Sequence, residues 1–157
     1  MLPLGTIGLK AEVGNPRQTN FTHDEQFTLM TLWSIFRSPL MMGGDLPSLD
    51  SFTLSLLTND EVLAVNQKSS GGHELFRRGD QIAWVADVPG MRDKYVALFN
   101  AGEQPAQVDV LWKEVGLDKS CRVRDLWQQK DLGNLEDKLS MTVNPHGARL
   151  FRVSPLT

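Results

Sequence analysis

Hydrophobic residues follow two different patterns along the chain, and the change falls at Lys68–Gly72. Before this stretch, Leu, Met and Phe recur at helical spacing. After it, short alternating runs are separated by turn residues, which is typical of strands. The change predicts two units, one over residues 1–70 and one over residues 71–157.

The first unit contains a well-marked helix. Thr22 and Glu25 have the spacing of a capping box, and Pro39 is expected to end the helix near Arg37. Its apolar residues cover most of the circumference, so the helix is predicted to be buried on more than one side. A second helix is predicted from Ser48 or Asp50 to about Leu57.

Between these helices lies a short apolar run, Pro39–Met42, which reads as a buried strand closed by Gly43-Gly44-Asp45. Helix, strand and helix, after an extended lead-in at the N-terminus, indicate the βα alternation of a parallel sheet. A parallel strand is normally paired on both edges. We therefore expect the partners of Pro39–Met42 to lie outside this chain or in another copy of it.

The second unit contains six predicted strands separated by turns, which indicates an antiparallel β-sandwich. The strands are Gln81–Val88, Lys94–Asn100, Gln107–Trp112, Cys121–Trp127, Leu139–Val143 and Ala148–Val153. The predicted core comprises Val96, Leu98, Val108, Val110, Val123, Met141, Val143, Leu150 and Val153.

Composition excludes several classes of function. The 157 residues are 41% hydrophobic and 22% charged, which is ordinary for a folded globular protein. The net charge of −3 carries no basic footprint for nucleic acid or an anionic membrane, and no apolar run approaches the roughly 20 residues of a membrane span. The lone Cys121 excludes an internal disulfide and a cysteine-based metal site, and is expected to be a small buried hydrophobe.

The residues alone offer no catalytic constellation and no metal or cofactor site. His23, His73 and His146 lack metal-ligand spacing and are expected to be exposed turn residues. Gly43-Gly44-Asp45 follows a strand and precedes a helix, where α/β folds often place a site, but it matches neither glycine-rich phosphate motif. Asp45 is therefore either a capping residue or a neighbour of a site.

Five aromatic residues of the second unit have two interpretations. They could form a sugar-stacking platform, or they could be core residues at strand spacing, which is the commoner role. The set is Trp84, Tyr95, Phe99, Trp112 and Trp127.

The order of the motifs resembles one family end to end. "MLPLG", "DEQFTLMTLWSIFRSPLMMGGDL", "LLTNDEVLAVNQ", "ALFN", "VRDLWQQKDLG" and "NPHGARLFRV" are similar to the C-terminal portion of a glycoside hydrolase of family 27. This family contains α-galactosidases, α-N-acetylgalactosaminidases and relatives acting on isoprimeverose-type and β-arabinopyranosyl substrates. The resemblance is most specific over residues 24–67.

The resemblance implies an α+β chain, in which the tail of a TIM (β/α)8 barrel precedes an antiparallel β-sandwich. Pro39–Met42 would be the eighth barrel strand, flanked by the two predicted helices. A whole barrel needs about 250 residues. The remaining barrel strands, including the neighbours of Pro39–Met42, would then lie outside this chain.

The resemblance also implies a function. Enzymes of the family are retaining hydrolases with two aspartates, a nucleophile and an acid/base. Both would precede the matched residues, so no catalytic residue is assigned here and the isolated chain is expected to be inactive. Met1 and Leu2 resemble the end of the family's Asp-Met-Leu motif on strand seven. Met1 is therefore predicted to bind substrate as an apolar wall of the sugar pocket, or else to fill the barrel rim.

The expected partners follow from the same resemblance. They are a glycoside or oligosaccharide substrate of the full-length enzyme, and either the missing barrel portion or a second copy of the chain; neither nucleic acid nor a membrane is expected. Members of the family usually work outside the cytosol, so an extracellular or periplasmic enzyme is expected. The disulfides of its eukaryotic members have no counterpart in this sequence, which indicates a bacterial-type member. The alternative is a stand-alone β-sandwich that binds carbohydrate or protein.

Overall fold

The computed structural model describes residues 1–8 and 15–156. Residues 15–68, with the lead-in at residues 1–8, form an N-terminal segment that is mostly helical, and residues 70–155 form a β-sandwich. The fold is therefore mainly antiparallel sheet with few helices, the α+β organisation that the sequence predicts.

The N-terminal segment has three α-helices: α1 (His23–Ile35), α2 (Ser51–Leu57) and α3 (Asp60–Lys68). The predicted capping box of α1 is present, since the Glu25 N–H donates to the Thr22 hydroxyl and the Thr22 N–H donates to the Glu25 carboxylate. Asp50 caps α2 by accepting from the Thr53 N–H at 2.7 Å.

Ten strands accompany these helices in the described residues. They are β1 (Thr6–Ile7), β2 (Arg17–Gln18), β3 (Ser70–Arg78), β4 (Gln81–Asp87), β5 (Lys94–Asn100), β6 (Ala106–Leu111), β7 (Ser120–Asp125), β8 (Lys130–Glu136), β9 (Lys138–Val143) and β10 (Ala148–Pro155). Every pairing between them is antiparallel.

The sandwich packs a six-stranded sheet, in the order β3-β4-β5-β10-β7-β8, against the hairpin-like pair β6-β9. Their inner faces form one hydrophobic cluster, the sandwich cluster, which includes Val96, Leu98, Trp112 and Phe151. Eight of the nine predicted core residues are buried; Met141 is only partly buried.

Seven of these buried residues belong to the sandwich cluster, whereas Leu150 faces the other side of the six-stranded sheet. There it joins Ile35 of α1 and Val62 of α3 in a second cluster, the helix–sheet cluster. The sheet is therefore covered on both faces, by β6-β9 on one side and by helices on the other. Helix α1 is buried on a second side as well, because Met30 lies in a separate cluster with Leu2 and Leu4, and this accounts for its apolar circumference. The division at residue 70 stays a prediction, because both predicted units contribute to the helix–sheet cluster.

Three of the elements with seven or more residues were not predicted. β3 and β8 lie at the two edges of the large sheet, are largely exposed, and contain glycines and register shifts, so neither shows the alternation of a half-buried strand. Gly133 of β8 has φ +85°, where only glycine is unstrained. Helix α3, which Asn59 caps, has only nine residues, and no helix was predicted there.

Candidate functional site

The predicted strand Pro39–Met42 forms a single parallel bridge instead of a strand, and its partner is Leu2. The Leu2 N–H donates to the Met41 carbonyl at 2.6 Å, and the Gly43 N–H donates to the Leu2 carbonyl at 2.8 Å. Beyond it, the Asp45 N–H donates to the Thr6 carbonyl at 2.7 Å. The prediction that every partner lies outside the chain was therefore wrong for one edge, where residues 2–6 pair with residues 41–45.

Gly43 and Gly44 are explained by this close backbone approach. A Cβ atom on Gly44 would lie 2.0 Å from the Leu4 carbonyl oxygen, and one on Gly43 would lie 3.0 Å from the Leu2 carbonyl oxygen. Real Cβ atoms do not approach an oxygen to 2.0 Å, so only glycine allows the two segments to pair here. The Gly-Gly pair thus serves strand pairing rather than anion binding.

The strand ends carry the predicted site residues. Met1 has 79% of its surface exposed, and its Cβ lies 3.2 Å from the position that a Cβ on Gly43 would take. Asp45 lies two residues after Gly43 and is partly exposed. It precedes a single 3-10 turn at Leu46–Ser48, and its side chain makes no capping hydrogen bond to that turn. Met1 and residues 43–45 therefore lie at the ends of the two paired segments, and we call them the rim.

Large apolar side chains are exposed mainly in the N-terminal segment. Of eight such side chains in the described residues, six lie within residues 1–54: Met1, Phe21, Phe36, Met41, Leu46 and Leu54. Exposed apolar side chains that form a contiguous patch often mark a contact with another polypeptide, whereas scattered single residues do not.

A groove of about 460 Å³ continues this apolar surface between α1 and strands β3–β5. Its walls include Leu29, Trp33 and Trp84, and Glu74 and Arg77 are charged residues of its lining. The groove beside α1 is thus lined mainly by apolar side chains.

Three of the five aromatic residues considered for a sugar-stacking platform are core residues: Trp112, Tyr95 and Phe99. Trp112 is buried in the sandwich cluster and its Nε1 donates to the Leu135 carbonyl at 3.2 Å. Tyr95 and Phe99 are each 6% exposed, on the opposite face of the sheet, and burial raises the pKa of Tyr95. The core interpretation is therefore correct for these rings, and a stand-alone carbohydrate-binding module gains no support from them.

The histidines and the cysteine form no metal centre in the described part of the chain. His23 stacks on Phe52 with 3.8 Å between ring centroids, His73 is exposed, and His146 lies in a turn with its Nε2 3.2 Å from a Glu103 carboxylate oxygen. Cys121 is fully buried, and this burial raises the pKa of its thiol to about 11.

Among the described helices, none combines the length and hydropathy needed to cross a membrane.

Comparison with known proteins gives matches over both parts of the chain. Residues 14–68 match the family model for α-galactosidase A, and residues 78–153 match that for the α-galactosidase C-terminal β-sandwich domain. α-Galactosidase 2 of Arabidopsis thaliana is 33% identical over 91% of this chain and 36% of its own length.

Solved structures of related enzymes match this chain over nearly its whole length. A family 27 β-L-arabinopyranosidase from Geobacillus stearothermophilus is 43% identical, with a TM-score of 0.94 over 99% of this chain and 36% of its own. α-Galactosidase I of Mortierella vinacea is 31% identical, with a TM-score of 0.83 over 92% of this chain and 38% of its own. The chain therefore spans somewhat more than a third of the length of these relatives.

Proposed function

The chain belongs to glycoside hydrolase family 27, as the C-terminal portion of an α-galactosidase-like enzyme, and from this premise we propose that the whole enzyme is a retaining exo-glycosidase. The observation that carries the proposal is the unbroken match to the Geobacillus enzyme, with a TM-score of 0.94, across both the N-terminal segment and the sandwich. A β-sandwich alone would fit many functions, but this sandwich docked on this helical segment fits one family.

We propose a terminal galactose-type sugar as the substrate. The relatives include α-galactosidases and a β-L-arabinopyranosidase. β-L-Arabinopyranose has the ring-hydroxyl configuration of α-D-galactose and lacks only its C5 hydroxymethyl group. The shared substrate class is therefore a pyranoside of this configuration, and the group at C5 distinguishes its members.

In this proposal the chemistry and the support come from different parts of the enzyme. Retaining glycosidases need two carboxyl groups about 5–5.5 Å apart, one as nucleophile and one as acid/base. We propose that the portion of the relatives that this chain does not span supplies both. This chain would supply the last strand, the rim at Gly43–Asp45 and the docked sandwich, and Met1 would form an apolar wall of the sugar pocket.

We further propose that the barrel portion preceding these residues covers the exposed apolar surface of the N-terminal segment. The N-terminal segment has an open edge at Leu2 and Met42, exposed apolar side chains and the groove beside α1. A barrel closes its sheet, so it would pair the open edge and pack helices beside α1.

A segment exchange tests the proposal. The corresponding C-terminal portion of the Geobacillus β-L-arabinopyranosidase would be replaced by this chain, and hydrolysis of aryl β-L-arabinopyranoside and aryl α-galactoside would be measured. We expect turnover by the hybrid and none by the 157-residue chain alone. Turnover by the chain alone, or a folded hybrid without activity, would contradict the proposal.

The same hybrid tests Met1. Met1→Ala removes the proposed apolar wall, and because a buried Met side chain contributes about 1.5 kcal/mol or more, we expect KM to rise by about tenfold. Met41→Ala is the matched control, since Met41 is also exposed at the strand ends but has no proposed role at the sugar. Equal KM values for the two variants would show that Met1 only fills the rim.

A further inference from the structure

A buried carboxylate, that of Asp125, stabilises the turn between β7 and β8, residues 126–129. Asp125 is fully buried; it accepts from the Gln128 N–H at 2.9 Å and from the Arg149 guanidinium at 2.7 Å. Gln129 completes the turn with φ +50°, a left-handed conformation that non-glycine residues adopt only when their surroundings hold it. The turn is therefore a rigid projection of the sandwich.

Two short hydrogen bonds, one buried and one partly buried, attach this turn to the helices of the N-terminal segment. The Asn59 side-chain amide donates to the Leu126 carbonyl at 2.9 Å, and the Trp127 indole N–H donates to the Thr31 hydroxyl at 2.8 Å. Thr31 is fully buried and Asn59 is 8% exposed. An unpaired buried polar group destabilises the folded state. The two bonds therefore fix where the turn meets α1 and α3.

The Trp127 ring joins two hydrophobic clusters. It packs against the helix–sheet cluster and against a third cluster, the strand-end cluster, which contains Leu2, Leu4, Met30 and Leu56. It also meets Phe27 edge to face, with 5.0 Å between ring centroids. Within residues 1–8 and 15–156, Trp127 is the side chain that these two clusters share.

We infer that Trp127 is a positioning residue through which the sandwich sets the location of α1 against residues 2–4 and 42–45, and so holds the rim. The physical path runs from the indole to Thr31 and Phe27, from α1 through Met30 to Leu2 and Leu4, and from Leu2 to the Gly43 N–H. The inference rests on the proposed function only in that this rim would border the sugar pocket.

Amide hydrogen exchange of the 157-residue chain tests the inference without any activity assay. The reporters are the N–H groups of Gly43 and Asp45, which donate to the Leu2 and Thr6 carbonyls. The internal reference is the set of amides paired between β5 and β10 in the sandwich.

Thr31→Val removes the acceptor hydroxyl at nearly constant volume, and Trp127→Phe removes the indole N–H while keeping an aromatic ring. For both variants we expect the two reporter amides to exchange about tenfold faster, the factor expected for loss of one ordinary hydrogen bond. The β5–β10 amides should keep their rates. Thr31→Ser retains the hydroxyl and should restore protection of the reporters.

Trp84→Phe is the matched control, because Trp84 packs against the helix–sheet cluster and not against the strand-end cluster. Unchanged reporters in Thr31→Val and Trp127→Phe would overturn the inference. So would equal acceleration by Trp84→Phe, or acceleration that includes the β5–β10 amides. An inactive segment-exchange hybrid would instead count against the proposed glycosidase function and leave the exchange result standing.

Discussion

The N-terminal segment and the sandwich differ in how far each completes its own hydrogen bonding and burial. Central strands of the sandwich pair on both edges, and β10 lies between β5 and β7 with its core side chains fully buried. In the N-terminal segment, the equally apolar run Pro39–Met42 makes one parallel bridge and leaves Met41 60% exposed. An apolar sequence pattern therefore specifies a strand only where partner strands exist.

The largest expected contrast comes from removing one apolar side chain from each region. Phe151→Ala creates a cavity in the sandwich cluster, so we expect the free energy of unfolding to fall by about 3–5 kcal/mol. Met41→Ala should change it by less than about 0.5 kcal/mol, because the side chain is mostly exposed. Urea denaturation followed by tryptophan fluorescence measures both, and similar losses would contradict the contrast.

A second prediction concerns strand pairing in the N-terminal segment. Gly44→Ala places a methyl group where the Leu4 carbonyl lies, and overpacking of this kind costs about 1–3 kcal/mol. We expect the bridge between Leu2 and Met42 to open, seen as faster exchange of the Asp45 amide, while sandwich amides keep their protection. Gly43→Ala is the graded comparison, since its methyl would lie 3.0 Å from the nearest oxygen. An equal or larger effect at Gly43 would show that the close approach at Gly44 is relieved by a small shift.

Sequence patterns predicted the interior of the fold better than its edges. All six predicted strands were observed to within two residues of their predicted ends, because each has a buried face. β3 and β8 were missed because edge strands with glycines and bulges lack a buried face to impose alternation.

The candidate site was less accessible to sequence reasoning than the fold. Met1 came from a family resemblance alone, and its role stays a prediction. The bond between Trp127 and Thr31 joins residues 96 positions apart, and neither residue type marks such a contact locally. The Gly-Gly pair was visible in the sequence, but its cause, the approach of the Leu4 carbonyl, exists only once the segments meet in space.

A third prediction tests how firmly the two regions are joined. Asn59 accepts from the Glu61 and Val62 N–H groups as the cap of α3 and donates to the Leu126 carbonyl of the sandwich. Asn59→Ala loses both roles, and we expect about 2 kcal/mol less stability; Asn59→Ser keeps a capping oxygen but is too short for Leu126, so about 1 kcal/mol should be lost. Thermal unfolding measures both variants. Equal losses would mean that the capping oxygen contributes nothing, and an Asn59→Ser variant as stable as the wild type would mean that the bond to Leu126 contributes nothing.

The smallest expected change in stability comes from replacing two carboxylates with lowered pKa values, one in each region. Hydrogen bonds from Lys138, then Ser140, lower the pKa of Asp109 on β6, and the Thr53 backbone N–H lowers that of Asp50 at the start of α2. A carboxyl whose pKa is lower in the folded state contributes stability above its unfolded value, near 3.8, and loses it as the pH falls through the folded value.

Asp109→Asn should therefore destabilise the sandwich at pH 7 by less than about 1 kcal/mol, because the pair with Lys138 is partly exposed, and the difference from the wild type should shrink below pH 4. Asp50→Asn keeps a capping side chain, and its effect should be confined to amide exchange in the N-terminal segment. If acid unfolding monitored in β5 and β10 responds to Asp50→Asn as strongly as to Asp109→Asn, the two regions unfold as one cooperative unit. In that case the bonds at Asn59 and Trp127, rather than the open strand edge, determine the stability of the N-terminal segment.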